Sequence, residues 1–98
     1  MSHVLKVRPE AEVDIAQAFA WYESELSGLG AQFLDSVDDA FERIFSNPQH
    51  YADMVGGIRR KLLNKFPYGV FFVFEDGEIR LLAVLQQAQS PSVWKSRK

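Results

Sequence analysis

Ninety-eight residues without a cysteine exclude disulfides, thiolate nucleophiles and cysteine metal sites. Hydrophobic residues at 47% and aromatic ones at 13% can build a core and exclude a disordered chain. The formal charge of -2 hides a division: residues 1–54 carry three Lys/Arg against ten Asp/Glu, and residues 55–98 carry eight against three. An acidic and a basic region of surface are therefore expected, on a length that suits one domain over residues 1–98. The N-terminal stretch has no apolar leader-like region, and no run approaches the roughly 18 apolar residues that span a bilayer. A soluble, cytoplasmic protein is the expectation.

In chain order, His3–Arg8 alternate enough to predict a short strand. Pro9 fits the first helical position, and Glu10, Glu12 and Asp14 complement the positive end of a helix dipole. The helix runs from Glu10 to about Leu26, with Ala16, Phe19, Ala20 and Tyr22 or Glu23 as its stripe, extended by Ile15 and Leu26. Ser27-Gly28-Leu29-Gly30 ends it. Phe33, Leu34, Val37, Phe41, Ile44 and Phe45 then trace one side of a second helix, with Asp35, Asp38, Asp39 and Glu42 opposite. Asn47-Pro48 stops that helix, because the residue before proline is pushed out of the α region. The short glycine-containing loop makes the two helices antiparallel neighbours.

After a loop from Gln49 to Gly57 the period falls to 2. Ile58, Leu62 and Phe66 alternate with Arg59, Lys61 and Lys65, and Val70, Phe72 and Phe74 continue the apolar series. Asp76-Gly77 predicts a two-residue hairpin turn. Ile79, Leu81, Ala83 and Leu85 then lie on one face, with Arg80, Leu82, Val84 and Gln86 on the other. Pro67 marks a strand junction, and Ser90-Pro91 opens a last helical turn that carries Trp94. The order is β-α-α-β-β-β. That is an α+β fold with a helical hairpin packed on a small, mainly antiparallel twisted sheet.

Catalytic motifs are missing. His3 and His50 are far apart in sequence with no neighbouring ligand pair, so neither a metal nor a cofactor is expected. No phosphate-cradling glycine loop, dinucleotide fingerprint or nucleophile elbow occurs. Positive charge is the stronger signal. Alternation puts Arg59, Lys61 and Lys65 on one side of a strand, where Cα atoms two residues apart lie about 6.5–7 Å from each other, and Arg80, Lys95, Arg97 and Lys98 can extend the patch. Trp94 lies among them. A polyanion or an acidic protein suits such a surface. Leu63, Phe71, Val73, Leu82 and Val84 have the parity opposite to Ile58, Leu62, Phe66, Phe72, Leu81 and Leu85, and Trp21 sits between Ala20 and Tyr22. Spare apolar area at Trp21, Leu63, Phe71 and Leu82 is expected to seat a protein partner.

The segments RPEAEVDIAQAFAWYE (residues 8–23), GLGAQFLDSVDDAFERIFSNPQHY (28–51), GIRRKLLNKFPYGVFFVFEDGEIRLLAVLQ (57–86) and SPSVW (90–94) together resemble the RelE/ParE superfamily of toxins from type II toxin–antitoxin systems. The likeness is nearest to the ParE, or plasmid-stabilisation, branch and runs over residues 5–95. It implies a bacterial cytoplasmic toxin held inactive in a hetero-oligomer by a ParD-like, ribbon-helix-helix antitoxin. RelE-branch members cleave messenger RNA on the ribosome, whereas ParE-branch members poison DNA gyrase. Nuclease relatives carry an arginine where Gly69 aligns, and a His followed by Arg-Arg-Asp-Pro where Gln86-Gln87-Ala88-Gln89-Ser90-Pro91 stands. Three positions that would move protons or hold phosphate are thus neutral, and Lys61, Lys65 and Tyr68 make a poor acid/base set. The resemblance therefore implies a non-enzymatic gyrase inhibitor without catalytic residues. Arg59, Lys61, Lys65, Arg80, Trp94, Lys95 and Arg97 would meet its target or antitoxin. The alternatives are a ribosome-dependent endoribonuclease, or an inactive relative that only binds its antitoxin.

Overall fold

The computed structural model describes residues 3–98. Its elements are β1 (Val4–Val7), α1 (Pro9–Glu25), α2 (Leu29–Ser46), a 3-10 turn at Pro48–His50, β2 (Asp53–Val55), β3 (Ile58–Leu62), β4 (Tyr68–Glu75), β5 (Glu78–Gln86) and α3 (Pro91–Lys95). The strands form one sheet in the order β1-β5-β4-β3-β2, with β1 parallel to β5 and the other pairs antiparallel. The expected architecture holds, with one addition: the segment read as a loop before Gly57 contains β2. Gly56 and Gly57, both at positive φ, make the tight β2–β3 turn.

The helical hairpin covers one face of the sheet. On α2, Gly30, Phe33, Val37, Ala40 and Ile44 are buried, as the period of its apolar residues requires, while Asp35, Asp38 and Glu42 face water. The buried line of α1 is instead Ala11, Asp14 and Ala18, and Ala16 and Ala20 are exposed. The expected stripe was rotated about the helix axis, because Ile15 and Tyr22 reach the core from the flank while Ala11 and Ala18 let the backbone of α1 approach β5. Where the helices meet, Gly30 has no room for a side chain: an added Cβ would stand 2.8 Å from the Phe19 ring and from Glu23 Oε1. The Glu23 carboxylate accepts the N–H groups of Gly28 (3.0 Å) and Gly30 (2.9 Å) at the start of α2.

The opposite sheet face is also covered. Ile58, Phe71, Val73, Leu82 and Ala83 form a second apolar cluster beneath Trp94 of α3. The indole stacks on Phe71 with ring centroids 4.7 Å apart and planes 19° from parallel. This overturns the expectation of spare apolar area at Phe71 and Leu82, which are each 1% exposed, while Leu63 is 7% exposed and packs on the helix side. The parity argument failed for two reasons. A single aromatic from the chain terminus closes the outer face. In addition, β5 carries a bulge: Phe72 pairs with Leu81 and Phe71 with Ala83, so Leu82 is the extra residue. Parity therefore switches within β5 and brings Val84 to the helix side with Ile79 and Leu81. The register shift sits at Leu82.

Candidate partner-binding surface

The basic residues do not form the single outer strip that alternation suggested. Pairing of Arg59 with Phe72 and of Lys61 with Val70 places both cations on the helix side of β3, since both partners belong to the helix-side core. There Arg59 Nη1 donates to the Tyr51 carbonyl at 2.6 Å, and Lys61 Nζ lies 5.7 Å from the Tyr51 ring centroid. Lys65 is not on a strand: β3 ends at Leu62, and Lys65 takes a left-handed turn conformation (φ 71°). It borders a hollow with Asp35 and Asp39 of α2. Its turn is held by the Ser36 hydroxyl, which donates to the Asn64 carbonyl at 2.8 Å.

Arg80 and Arg97 are spent inside the molecule. Arg80 bridges Glu75 (2.8 Å) and Glu78 (3.3 Å), and these hydrogen bonds raise its already high pKa. Glu78 is held below the usual carboxylate range by hydrogen bonds from Lys6 and Arg80. Trp94, expected to meet a target, is a core residue at 5% exposure. What remains is a basic corner on the α3 side. Arg60 faces it from β3, since its pair partner Phe71 lies in that cluster, while Lys95 is exposed and the Lys98 ammonium donates to the Gly56 carbonyl. Among the described residues, neither Arg60 nor Lys95 has an ion-pair partner. Arg60 was not singled out from the sequence; its phase with Ile58, an anchor of the second cluster, is the signal that finds it.

A second feature lies where α1 meets the far half of β5. The β1 strand accompanies β5 only as far as Leu81, because Pro9 turns the chain into α1. Beyond that point side chains take the strand's place. The Asp14 carboxylate accepts the Val84 N–H at 3.0 Å, and Arg97 Nη1 donates to the Leu82 carbonyl at 3.3 Å. The two side chains also pair with each other, at 2.6 Å and 3.3 Å. Asp14, with its side chain 8% exposed, is compensated by this double contact. Sequence reading credited it only with a helix-dipole role; its place in line with Ala11 and Ala18 is what marks it as inward-facing.

Next to this clasp a groove of about 350 Å³ opens, lined by Gln17, Ala18, Trp21, Tyr68, Gln86 and Gln89 among others. Trp21 is 57% exposed at its rim. Tyr68 forms the floor and belongs to an aromatic set with Tyr22, Phe33 and Phe66. Burial, and secondarily the neighbouring Tyr68, push the Tyr22 phenol above its ordinary pKa. Apart from the mutually paired Asp14, the groove residues carry no formal charge at neutral pH, so it suits neutral or apolar groups with amide-type hydrogen bonding. Among the described residues no helix is long and apolar enough to cross a membrane, and no group of three or more His, Asp or Glu side chains could hold a metal ion.

Comparison with solved structures finds the same fold, and two of the similar chains illustrate it. One is a chain of the chromosomal ParDE toxin–antitoxin system from P. aeruginosa, similar with a TM-score of 0.66 and 21% identity over 86% of this chain and 95% of that one. The other is an arginine-substituted mutant of E. coli toxin RelE in the free state, with a TM-score of 0.59 and 12% identity over 99% of this chain and 94% of that one. No curated protein sequence matches significantly. The family described as the ParE toxin of type II toxin-antitoxin systems, parDE, matches residues 5–91, from β1 through β5 to the first residue of α3. The chain belongs to the ParE toxin family.

Proposed function

We propose that this ParE-family chain acts in the bacterial cytoplasm by binding DNA gyrase, and that an antitoxin of the ParD type, encoded beside it, holds it inactive. The family match over residues 5–91 carries this reading. The placement of the would-be nuclease groups supports it. Lys61 sits against Tyr51, Lys65 lies in the turn beside α2, and the Tyr68 ring is packed among Tyr22 and Phe33. Gln86 and Gln89 occupy the end of β5 and the groove beside it. Cleavage of RNA by its own 2′-hydroxyl needs a proton acceptor, a donor and cationic stabilisation converging on one phosphate. Three groups in three environments suit a binding surface better than that reaction. The basic corner of Arg60, Lys95 and Lys98, together with Arg59 and Lys61, would engage the target.

The test is a supercoiling assay with purified gyrase, together with primer extension on cellular messages after induction. Inhibited supercoiling with intact messages is expected. Codon-positioned cleavage of messages would make the chain a ribosome-dependent nuclease. Normal growth with a stable antitoxin complex would make it an inactive relative.

A further inference from the structure

The cations of the α3 side form a row rather than a knot. Lys98 donates to the Gly56 carbonyl at the β2–β3 turn. Lys95 follows Trp94, whose ring stacks on Phe71, the Cα partner of Arg60. The Arg60 stem lies across Gly69, where an added Cβ would stand 3.0 Å from its Cδ and 3.1 Å from its Cγ. Gly69 pairs with Leu62, five residues beyond Gly57, so the row extends over about 16 Å of β3. Among the described residues no carboxylate pairs with Arg60 or Lys95. The acids of this half of the chain are engaged elsewhere: Asp53 accepts the Gly57 N–H at 3.2 Å, and Glu75 and Glu78 hold Arg80 at the β4–β5 turn, with Asp76 between them.

A row of cations with a closed middle selects its ligand. Trp94, 5% exposed, seals the apolar cluster at the centre, and the exposed apolar Val55 and Leu62 stand toward the two ends. A protein interface has an apolar centre and a polar rim, which this surface reverses. A compact anion would meet one cation of the row at a time, whereas a duplex repeats its charge, one phosphate per about 3.4 Å of axis on each strand. Phosphate contacts need only charge and hydrogen-bond donors, and Arg60 offers a guanidinium on a stem already laid down on the sheet. The carboxylates that would repel a polyanion, Asp35, Asp38 and Glu42, face water from α2 on the other side of the sheet. We propose that Lys98, Lys95 and Arg60 track the sugar–phosphate backbone of duplex DNA held by the target enzyme. The choice of DNA among polyanions rests on the gyrase reading above.

The salt dependence of binding counts the phosphate contacts. Fluorescence anisotropy of a labelled duplex of about 20 base pairs is titrated with wild type and with the double variant Arg60→Gln, Lys95→Gln. Neither side chain is paired in the fold, so the melting temperature should stay within a few degrees. Three contacts predict that wild-type affinity falls about 40-fold between about 50 and 200 mM salt, and the one contact left in the variant predicts about fourfold. Retention of both proteins on immobilised gyrase is measured with and without the duplex; the duplex is expected to raise wild-type retention several-fold and that of the variant little. No duplex binding at about 50 mM salt, or the same salt dependence for both proteins, overturns the inference. A variant that loses retention on DNA-free gyrase puts an acidic protein surface at the corner, which overturns the phosphate assignment and leaves the gyrase reading standing. Duplex binding through the corner without retention by gyrase under either condition overturns the gyrase reading and keeps the row. Tighter binding to a single-stranded RNA of the same length overturns the assignment to DNA.

Discussion

Asp14 and Arg97 stand 83 residues apart and meet across the end of the sheet, doing with side chains what a longer β1 would do with backbone. Asp14→Ala strands the Val84 N–H and leaves Arg97 without its partner, so a loss of about 3 kcal/mol is expected in denaturant unfolding. Arg97→Ala, at the more exposed end of the pair, is expected to cost about 1–2 kcal/mol. The double variant should recover at least ~1 kcal/mol relative to additivity; strictly additive losses would mean the pair is not coupled. A different carboxylate gives a pH signature. Because Lys6 and Arg80 hold the folded-state pKa of Glu78 below its unfolded value, their contribution is present above the ordinary carboxylate range. It fades as pH falls through the lowered value. The melting-temperature gap between wild type and Glu78→Gln is therefore expected to narrow on acidification from about pH 6 to pH 3; a gap that widens would contradict the assignment.

Among the elements, α3 has the most leverage for its length. Five residues place one indole over the second apolar cluster, and the tail is then tied down by Arg97 and Lys98. Trp94→Ala is expected to cost about 3 kcal/mol and to raise binding of a hydrophobic dye, because Phe71 and Leu82 lose their cover. Trp94→Phe should cost roughly half as much. In the helical hairpin, Gly30→Ala forces a methyl group into the Phe19 ring and should cost about 1–3 kcal/mol, visible as a lower melting temperature. Both helices were legible because α2 has an unbroken apolar period and α1 begins at Pro9. What local pattern could not convey was the rotation of α1 and the bulge at Leu82. The first depends on alanines packing against a strand some 70 positions away, and the second on a register chosen by both faces of β4.

Over the whole molecule, the division of charge along the chain survives folding but changes shape. The acidic half is the outside of the helical hairpin, as expected. The basic half splits into internally paired cations, cations at Tyr51, Lys65 in the turn beside α2, and the corner formed by Arg60, Lys95 and Lys98. Side-chain pairing is a tertiary fact, so sequence alone overcounted the cations available to a partner and missed Arg60. Replacing Arg60 and Lys95 by Glu should weaken growth inhibition at least about tenfold while leaving the melting temperature within a few degrees. Glu at Arg80, which breaks two internal ion pairs, should lower stability instead. Element order and family resemblance were legible because they rest on the spacing of apolar residues, glycines and prolines through residues 5–91. The groove under Trp21 was legible only as an exposed tryptophan. The most direct measurement of the central claim is the viable count after inducing this chain alone and together with the reading frame beside it. The account predicts a fall of several orders of magnitude alone and full rescue by the neighbour; undiminished counts with the chain expressed and folded would contradict it.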